Sequence, residues 1–172
     1  LNEPNDGDER RQLNDRELAV RLAYFLWSAP PDQELLSLAK RGELFNPDTL
    51  RSQVDRLIAD SRSDEFVAGF LHQWLDMERL DFFQFDTTLY RDFDESTRSA
   101  ARQEVSQTFA HLLRAKSNSN LGQLLKSDFV FVNGLLATFY FLDGVTGDLL
   151  QKITLPADSP RGGLLGMAAI HA

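Results

Sequence analysis

Apolar side chains recur at helical spacing along most of this chain. After Asn46 and Pro47, which fit a helix N-cap and a first-turn proline, four apolar residues fall at i, i+4, i+7 and i+8: Leu50, Val54, Leu57 and Ile58. A longer helix is predicted to begin after the N-cap Asp94 and to carry a second apolar face: Ala101, Val105, Phe109, Leu112 and Leu113. The pattern therefore predicts a mostly helical chain.

One helix stands out near the start of the sequence. Asn14 and Glu17 have the spacing of a capping box, which predicts that a helix begins after Asn14. Apolar side chains lie nearly all round the helix in residues 18–27, so we expect it to be central and covered by its neighbours. Pro30 and Pro31 then end it.

Later segments mix clear helices with ambiguous pieces. A wide aromatic stripe predicts a helix around residues 66–75, in which Gly69 is expected to let another helix approach closely. Residues 77–93 have no clean period and are predicted to form a packed loop. Residues 128–132 fit either a short extended piece or the lead-in to a helix, and residues 152–155 fit an extended piece.

These elements predict an all-α fold, a compact, mainly orthogonal bundle of about six to eight helices with at most a minor extended segment. No repeat or linker divides the sequence, so residues 1–172 are expected to form a single helical domain. A polar opening and an apolar last stretch also lead us to expect a fragment of a longer multidomain protein.

Charge and cysteine content exclude several functional classes. The formal charge of -8 at pH 7 argues against a nucleic-acid footprint and against adhesion to anionic lipid. With no cysteine, this segment has no disulfide, thiolate metal site, cysteine nucleophile or covalent c-type haem. The longest apolar run, residues 129–142, is too short to span a bilayer. We expect no nucleic-acid partner and no direct membrane insertion.

Familiar catalytic and metal-binding motifs are missing from the sequence. His72, His111 and His171 are isolated, without the spacing of a zinc or di-iron site. No nucleophile elbow, P-loop or dinucleotide fingerprint occurs. We therefore expect no metal and no cofactor in this domain, and we identify no confident catalytic residue.

Two helical groupings are weak candidates for polar chemistry. His72 and Asp76 stand at i and i+4, a spacing that would let the two side chains share a proton or a metal. A solvated or helix-tethering histidine is the favoured interpretation. Glu104, Gln107 and His111 are expected on the long helix opposite its apolar face. They form either a polar site between helices or, as we favour, a side that faces water.

A third candidate lies near the end of the chain. Arg161, Gly162 and Gly163 combine a guanidinium group with backbone amides at a predicted helix start, which suits a phosphate, sulfate or carboxylate. The simpler alternative is a turn in which the glycines permit close backbone packing. The turn is the favoured interpretation, and an anion-binding site at these three residues is the alternative.

A fourth candidate lies in the aromatic and acidic loop. Asp81, Phe83 and Asp86 offer a ring for stacking and carboxylates for hydrogen bonding, as in a glycan-binding platform. Phenylalanine more often indicates burial, so core packing is the favoured interpretation.

Several sequence blocks together resemble a known family. The blocks are Glu17-Leu18-Ala19, Tyr24-Phe25-Leu26-Trp27-Ser28, Gln73-Trp74-Leu75 and Asp158-Ser159-Pro160-Arg161-Gly162-Gly163-Leu164-Leu165. On these blocks the chain resembles the planctomycete-type family of cytochrome-c-associated domains of unknown function. The resemblance implies an exported, extracytoplasmic multidomain parent whose haem lies in another domain, and neighbouring domains of the same polypeptide as partners. It implies no catalytic residue.

Three functional hypotheses follow. The leading one is a non-catalytic structural or interaction module of an exported, haem-associated bacterial protein. The second is a domain of an enzyme that acts on polysaccharide or in extracytoplasmic redox chemistry, with a site shared with neighbouring domains. The third is an anion-binding or glycan-binding module.

Overall fold

The computed structural model describes residues 12–82, 88, 93–115 and 121–171 of the chain. The described residues are mostly helical and include a small two-stranded sheet. The chain divides into two compact units, residues 1–63 and 64–172. The mostly helical prediction is confirmed, and the all-α description needs the sheet added to it.

The described part of the first unit contains three α-helices, each with a side-chain cap. The helices are α1 (Asp15–Trp27), α2 (Gln33–Arg41) and α3 (Pro47–Ala59). The predicted capping box is present, because Asn14 Oδ1 accepts from the Glu17 amide and Glu17 Oε2 accepts from the Asn14 amide, both at 2.9 Å. These bonds satisfy two of the amides that a helix start leaves without intrahelical partners.

The core of the first unit shows that α1 is covered on one side only. Ala19, Ala23 and Trp27 are buried, and the Trp27 indole donates to the Leu57 carbonyl at 2.8 Å. Phe25, in contrast, is 66% exposed. Within the described part of the first unit, α2 and α3 pack against the other side of α1, so these helices do not provide the all-round cover that was expected.

The second unit is assembled around one long helix. Its elements are α4 (Asp64–Trp74), α5 (Arg79–Phe82), α6 (Glu95–Arg114), α7 (Leu121–Leu125), β1 (Phe129–Val132), α8 (Gly134–Tyr140), β2 (Gln151–Thr154) and α9 (Ala168–His171). Asp94 caps α6 by accepting from the Thr97 amide at 2.8 Å, as predicted. Helices α4, α7, α8 and α9 and strand β1 all contact α6. This central position forces α6 to bury more than one face.

Strands β1 and β2 pair antiparallel, with Phe129 opposite Thr154 and Val132 opposite Gln151. The alternative of a helix lead-in at residues 128–132 is therefore excluded, and the extended alternative is confirmed. Alternating aromatic and β-branched side chains in β1 favour a pleated, partly buried strand. Asn133 then caps α8 by accepting from the Leu136 amide at 2.9 Å.

The predicted loop at residues 77–93 is helical in part. Its described portion contains α5, and Met77 and Leu80 are both buried in the core of the second unit. Residues 83–87 and 89–92 lie outside the described part. Among the described helices, none combines the length and the apolar character needed to cross a membrane.

Candidate functional site

A carboxyl group lies in the interior of the second unit. Glu104 of α6 is fully buried, and its Oε2 accepts a hydrogen bond from the Tyr140 hydroxyl at 2.5 Å. Its other oxygen, Oε1, has no hydrogen-bond partner among the described residues. Burial raises the pKa of Glu104 to about 8, although the Tyr140 hydrogen bond and the charge of Arg161 oppose the shift. Glu104 is therefore largely protonated at neutral pH.

Tyr140 connects this carboxyl group to the last part of the chain. The Tyr140 hydroxyl accepts from the Ala168 amide at 2.7 Å, and burial raises the pKa of Tyr140. The guanidinium carbon of Arg161 lies 3.9 Å from the centre of the Tyr140 ring, and its Nη1 donates to the Gly166 carbonyl at 3.3 Å. The cluster joins α6, α8 and the segment leading into α9, so its immediate role is structural.

The water-facing interpretation of the α6 polar residues is correct for only one of them. Gln107 is exposed, but Glu104 is buried and His111 is partly buried. The Lys152 ammonium lies 2.9 Å from His111 Nε2, and the His111 ring packs against Phe129 with centroids 5.2 Å apart. Burial first, and then the charge of Lys152, lowers the pKa of His111, so its neutral form accepts from the ammonium group.

Arg161 and Gly163 of the anion-binding candidate have hydrogen-bond partners within the protein, and Gly162 is closely packed. The Gly163 amide donates to the Ser127 hydroxyl at 2.8 Å. A Cβ atom at Gly162 would overlap the Ser127 carbonyl, and one at Gly163 would overlap the Leu125 carbonyl. Both glycines therefore permit close backbone packing, the simpler of the two alternatives. Anion binding by Arg161, Gly162 and Gly163 stays an untested prediction.

His72 and Asp76 do not keep helical geometry relative to each other. Helix α4 ends at Trp74, and Asp76 follows with φ 51°. Asp76 forms an ion pair with Arg79 at 2.5 Å and lines a small pocket of about 260 Å³, whereas His72 is exposed. A shared site for this pair stays a prediction without geometric support.

The glycan candidate in the aromatic loop falls largely outside the described residues. Phe83 and Asp86 lie outside them, and of Asp81 only the backbone, in α5, is described. This prediction therefore stays open.

A groove of about 700 Å³ runs between α4 and α6 and reaches β1; we call it the α4–α6 groove. Its floor is apolar and includes Val67, Ala110 and Phe131. Its walls carry seven polar side chains: Asp64, Glu65, Gln103, Ser106, Gln107, His111 and Arg114. Arg114 and Asp64 form a close ion pair across it. Ligand sites are usually concave and partly apolar with a few polar groups, as this groove is, so it is the leading binding-site candidate.

The other side of α4 carries exposed aromatic rings. Phe66, Phe70 and Trp74 of α4 form one row with the partly buried Phe109 of α6, with ring centroids 5.6 to 6.4 Å apart; we call it the α4 aromatic surface. Phe70 is 42% exposed and Trp74 is 50% exposed. Gly69 lies beside this row, and no atom lies within 4 Å of the place where its Cβ would be. The predicted close approach at Gly69 is therefore not made by a described part of this chain.

Sequence reasoning missed Thr108, Tyr140 and Lys152. Thr108 is fully buried on the same side of α6 as Glu104, one turn later, and its hydroxyl has no partner among the described residues. The spacing of Ala101, Glu104 and Thr108 was the available signal, because positions 3 and 4 residues apart share one helix face. No sequence signal indicated the Tyr140 and Lys152 contacts, which join residues far apart in the chain.

Comparison with known proteins identifies a family without an assigned function. The sequence profile of PSD4, described as a protein of unknown function (DUF1592), matches residues 13–142. A search of curated proteins found no match, and a search of solved structures found none. Functional inference therefore depends on the geometry of the chain itself.

Proposed function

We propose, since the chain belongs to the PSD4 family of proteins of unknown function, that it is a non-catalytic interaction module which docks onto another part of a larger protein. The α4 aromatic surface is the observation that carries this proposal. Aromatic side chains supply much of the binding energy in protein interfaces, and a contiguous exposed apolar patch is uncommon on a monomer.

Gly69 adds a second argument for docking. A glycine inside a helix destabilises it by about 1 kcal/mol relative to alanine. No described residue packs where its side chain would be, so no close contact within the described part of the chain compensates for this loss of helix stability. A glycine on an exposed helix face does, however, permit the backbone of a partner to approach. We therefore place the partner over Gly69 and against the exposed parts of the Phe70 and Trp74 rings.

The charges around this surface define the partner. Asp76, which is paired with Arg79, and Glu78 are exposed in the turn after α4, and the whole chain carries a formal charge of -8. A second copy would bring the same acidic groups against them, which is unfavourable. The occupant that fits is an amphipathic helix from elsewhere in the parent polypeptide, with an apolar face flanked by lysine or arginine.

The same proposal includes the cellular location and the other domains of the parent protein. The blocks at residues 17–28 and 158–165 support an exported, extracytoplasmic parent protein that carries haem in another domain. The neighbouring domains of that polypeptide would be the partners, and any catalytic site would lie in them or at a junction with them. Fractionation of cells that express the parent tests the location, since a cytoplasmic parent would contradict export.

Gly69→Leu tests the docking proposal through opposite effects in two contexts. In the isolated chain leucine has room and a better helix propensity, so unfolding should cost about 0.8 kcal/mol more and the melting temperature should rise by about 2 °C. In the parent polypeptide the leucine would separate the docked helices, so amide hydrogen exchange in α4 should accelerate at least tenfold.

Gln103→Leu is the matched control, because Gln103 is also exposed on a helix but lies on α6, in the groove on the other side of α4. It should leave hydrogen exchange in α4 unchanged in both contexts. Equal protection of α4 in the parent before and after the Gly69→Leu change would overturn the proposal.

A further inference from the structure

The α4–α6 groove lies away from the α4 aromatic surface. Asp64 and Ala68 of α4 line the groove, whereas Phe66 and Phe70 belong to the aromatic surface. Residues two apart on a helix point about 200° apart, so Asp64 and Ala68 face away from Phe66 and Phe70, while Val67 in the groove floor lies between the two surfaces. Ligand binding in the groove and partner docking on the aromatic surface therefore need separate tests.

Three side chains in the groove wall have free hydrogen-bonding capacity. Glu65, Ser106 and Gln107 line the groove, and none of them hydrogen-bonds to another side chain or backbone group among the described residues. Together they present a carboxylate acceptor, a hydroxyl that donates and accepts, and an amide that donates and accepts. A ligand that both donates and accepts at closely spaced positions matches this set.

The charged groups near the groove compensate each other. Asp64 and Arg114 form an ion pair, and the ammonium of Lys152 is engaged with a neutral His111. Lys152 keeps its positive charge and Glu65 its negative charge, so these four groups carry no net charge, and Glu65, which lines the groove itself, disfavours an anionic ligand. An ammonium group only donates, so it does not pair with the amide donors of Gln107. The charge pattern therefore favours a neutral ligand.

The floor of the groove suits the apolar side of a ring. Val67, Ala68 and Ala110 contribute small apolar side chains, and Phe131 contributes part of an aromatic face. A sugar ring presents C–H groups on its faces and hydroxyl groups at its edge, which both donate and accept. The groove volume of about 700 Å³ lies within the range of small-molecule sites.

We propose that the α4–α6 groove binds a neutral saccharide chain, with a ring over Phe131 and Ala110 and with its hydroxyl groups on Glu65, Ser106 and Gln107. This inference goes beyond the proposed docking and uses none of its residues. It assigns the domain a ligand in addition to a protein partner.

The test is a titration of the whole 172-residue chain with four tetrasaccharides, followed through backbone amide chemical shifts. The neutral probes are cellotetraose, maltotetraose and the tetramer of N-acetylglucosamine, and the acidic probe is tetragalacturonate. At least one neutral probe should give saturable shifts in residues 103–111 with a dissociation constant of 10 mM or below, and the acidic probe should bind at least tenfold more weakly.

Gln107→Ala should weaken the binding of the best neutral probe at least fivefold. Glu65→Gln should reduce the preference of the chain for the neutral probes over the acidic probe. Gln73→Ala, an exposed change on α4 outside the groove, should leave the affinity within twofold. Absence of saturable groove shifts with all neutral probes would overturn the proposal, as would an unchanged affinity in Gln107→Ala. Because Gly69→Leu leaves the groove intact, its outcome reports on docking alone.

Discussion

Glu104 lies on a helix face that its neighbours make apolar. Ala101 and Val105 are buried beside it, and the hydroxyl of Tyr140 is the group that meets its carboxyl. A buried carboxylate without full hydrogen bonding is costly, so the acid holds its proton instead. The residue therefore couples the stability of the second unit to pH.

We predict that Glu104 makes the chain less stable as the pH rises. Its pKa is about 8 in the folded chain and 4.5 ordinarily, so between these values the folded state holds a proton that the unfolded state has released. The free energy of unfolding falls through this window by about 5 kcal/mol in total and then levels off. Urea unfolding at intervals from pH 5 to pH 9 measures the change.

Glu104→Gln is the control for this pH dependence, because the amide keeps an acceptor for Tyr140 but does not titrate. The lowered pKa of His111 acts in the opposite direction near its ordinary value of 6.5, and it is common to both proteins. The difference between the two proteins therefore isolates Glu104. Parallel stability curves for wild type and Glu104→Gln would contradict the prediction.

We predict that Tyr140→Phe destabilises the second unit by about 3 kcal/mol. The change removes a donor to Glu104 and an acceptor for the Ala168 amide, and it leaves both groups buried without that partner. Tyr24→Phe removes a hydroxyl from an exposed tyrosine and should change the stability by less than about 0.5 kcal/mol. Similar unfolding midpoints for the two variants would show that the Tyr140 hydroxyl contributes little.

Helix caps were the residues that the sequence predicted best. Asn14, Asp94 and Asn133 all cap as expected, because a cap depends on groups within three residues of it. Glu104 was misplaced because α6 is covered on more than one side, and its charged residue type suggested the surface. Its spacing from Ala101 was the overlooked signal.

At the scale of elements, Gly163 fixes how the segment that leads into α9 packs on the end of α7. Gly163 has φ 74°, and its missing Cβ leaves room for the Leu125 carbonyl. Gly42, which ends α2, has nearly the same backbone angle, φ 71°, with no atom within 4 Å of a Cβ. A comparison of Gly163 with Gly42 therefore separates the energetic cost of the backbone conformation from the cost of the close contact.

We predict that Gly163→Ala costs at least about 3 kcal/mol, because a shift of the backbone must relieve the overlap, whereas Gly42→Ala costs about 1 kcal/mol. Chemical denaturation of both variants provides the comparison. Equal losses would mean that φ alone decides the effect and that the close packing at Gly163 is unimportant.

Secondary structure could be predicted where the apolar pattern extends over many residues, and could not be predicted where the segment is short. Helices α3 and α6 follow from their apolar spacing, but β1 has four residues and fits two periods equally. Strand pairing with β2 decided between them, and that pairing is a contact between distant segments. Similarly, the sequence of α1 could not show that α2 and α3 cover only one side of it.

At the scale of the molecule, the two candidate surfaces of α4 differ in how far the sequence predicted them. The aromatic stripe at residues 66–75 was visible as a helical face, but its exposure was not, because an aromatic stripe normally indicates a core. The groove was not predicted, since its walls come from α4, α6 and β1 together. Both surfaces depend on tertiary packing.

The most direct test of the docking proposal is acrylamide quenching of Trp74 fluorescence. The chain has two tryptophans, and Trp27 is 3% exposed whereas Trp74 is 50% exposed, so Trp74 dominates the quenching of the isolated chain. In the parent polypeptide, the Trp74 signal is obtained by subtracting the spectrum of the Trp74→Phe variant. We predict a quenching constant at least threefold lower in the parent than in the isolated chain. Equal constants in the two contexts would show that the α4 aromatic surface stays open to solvent and would contradict docking.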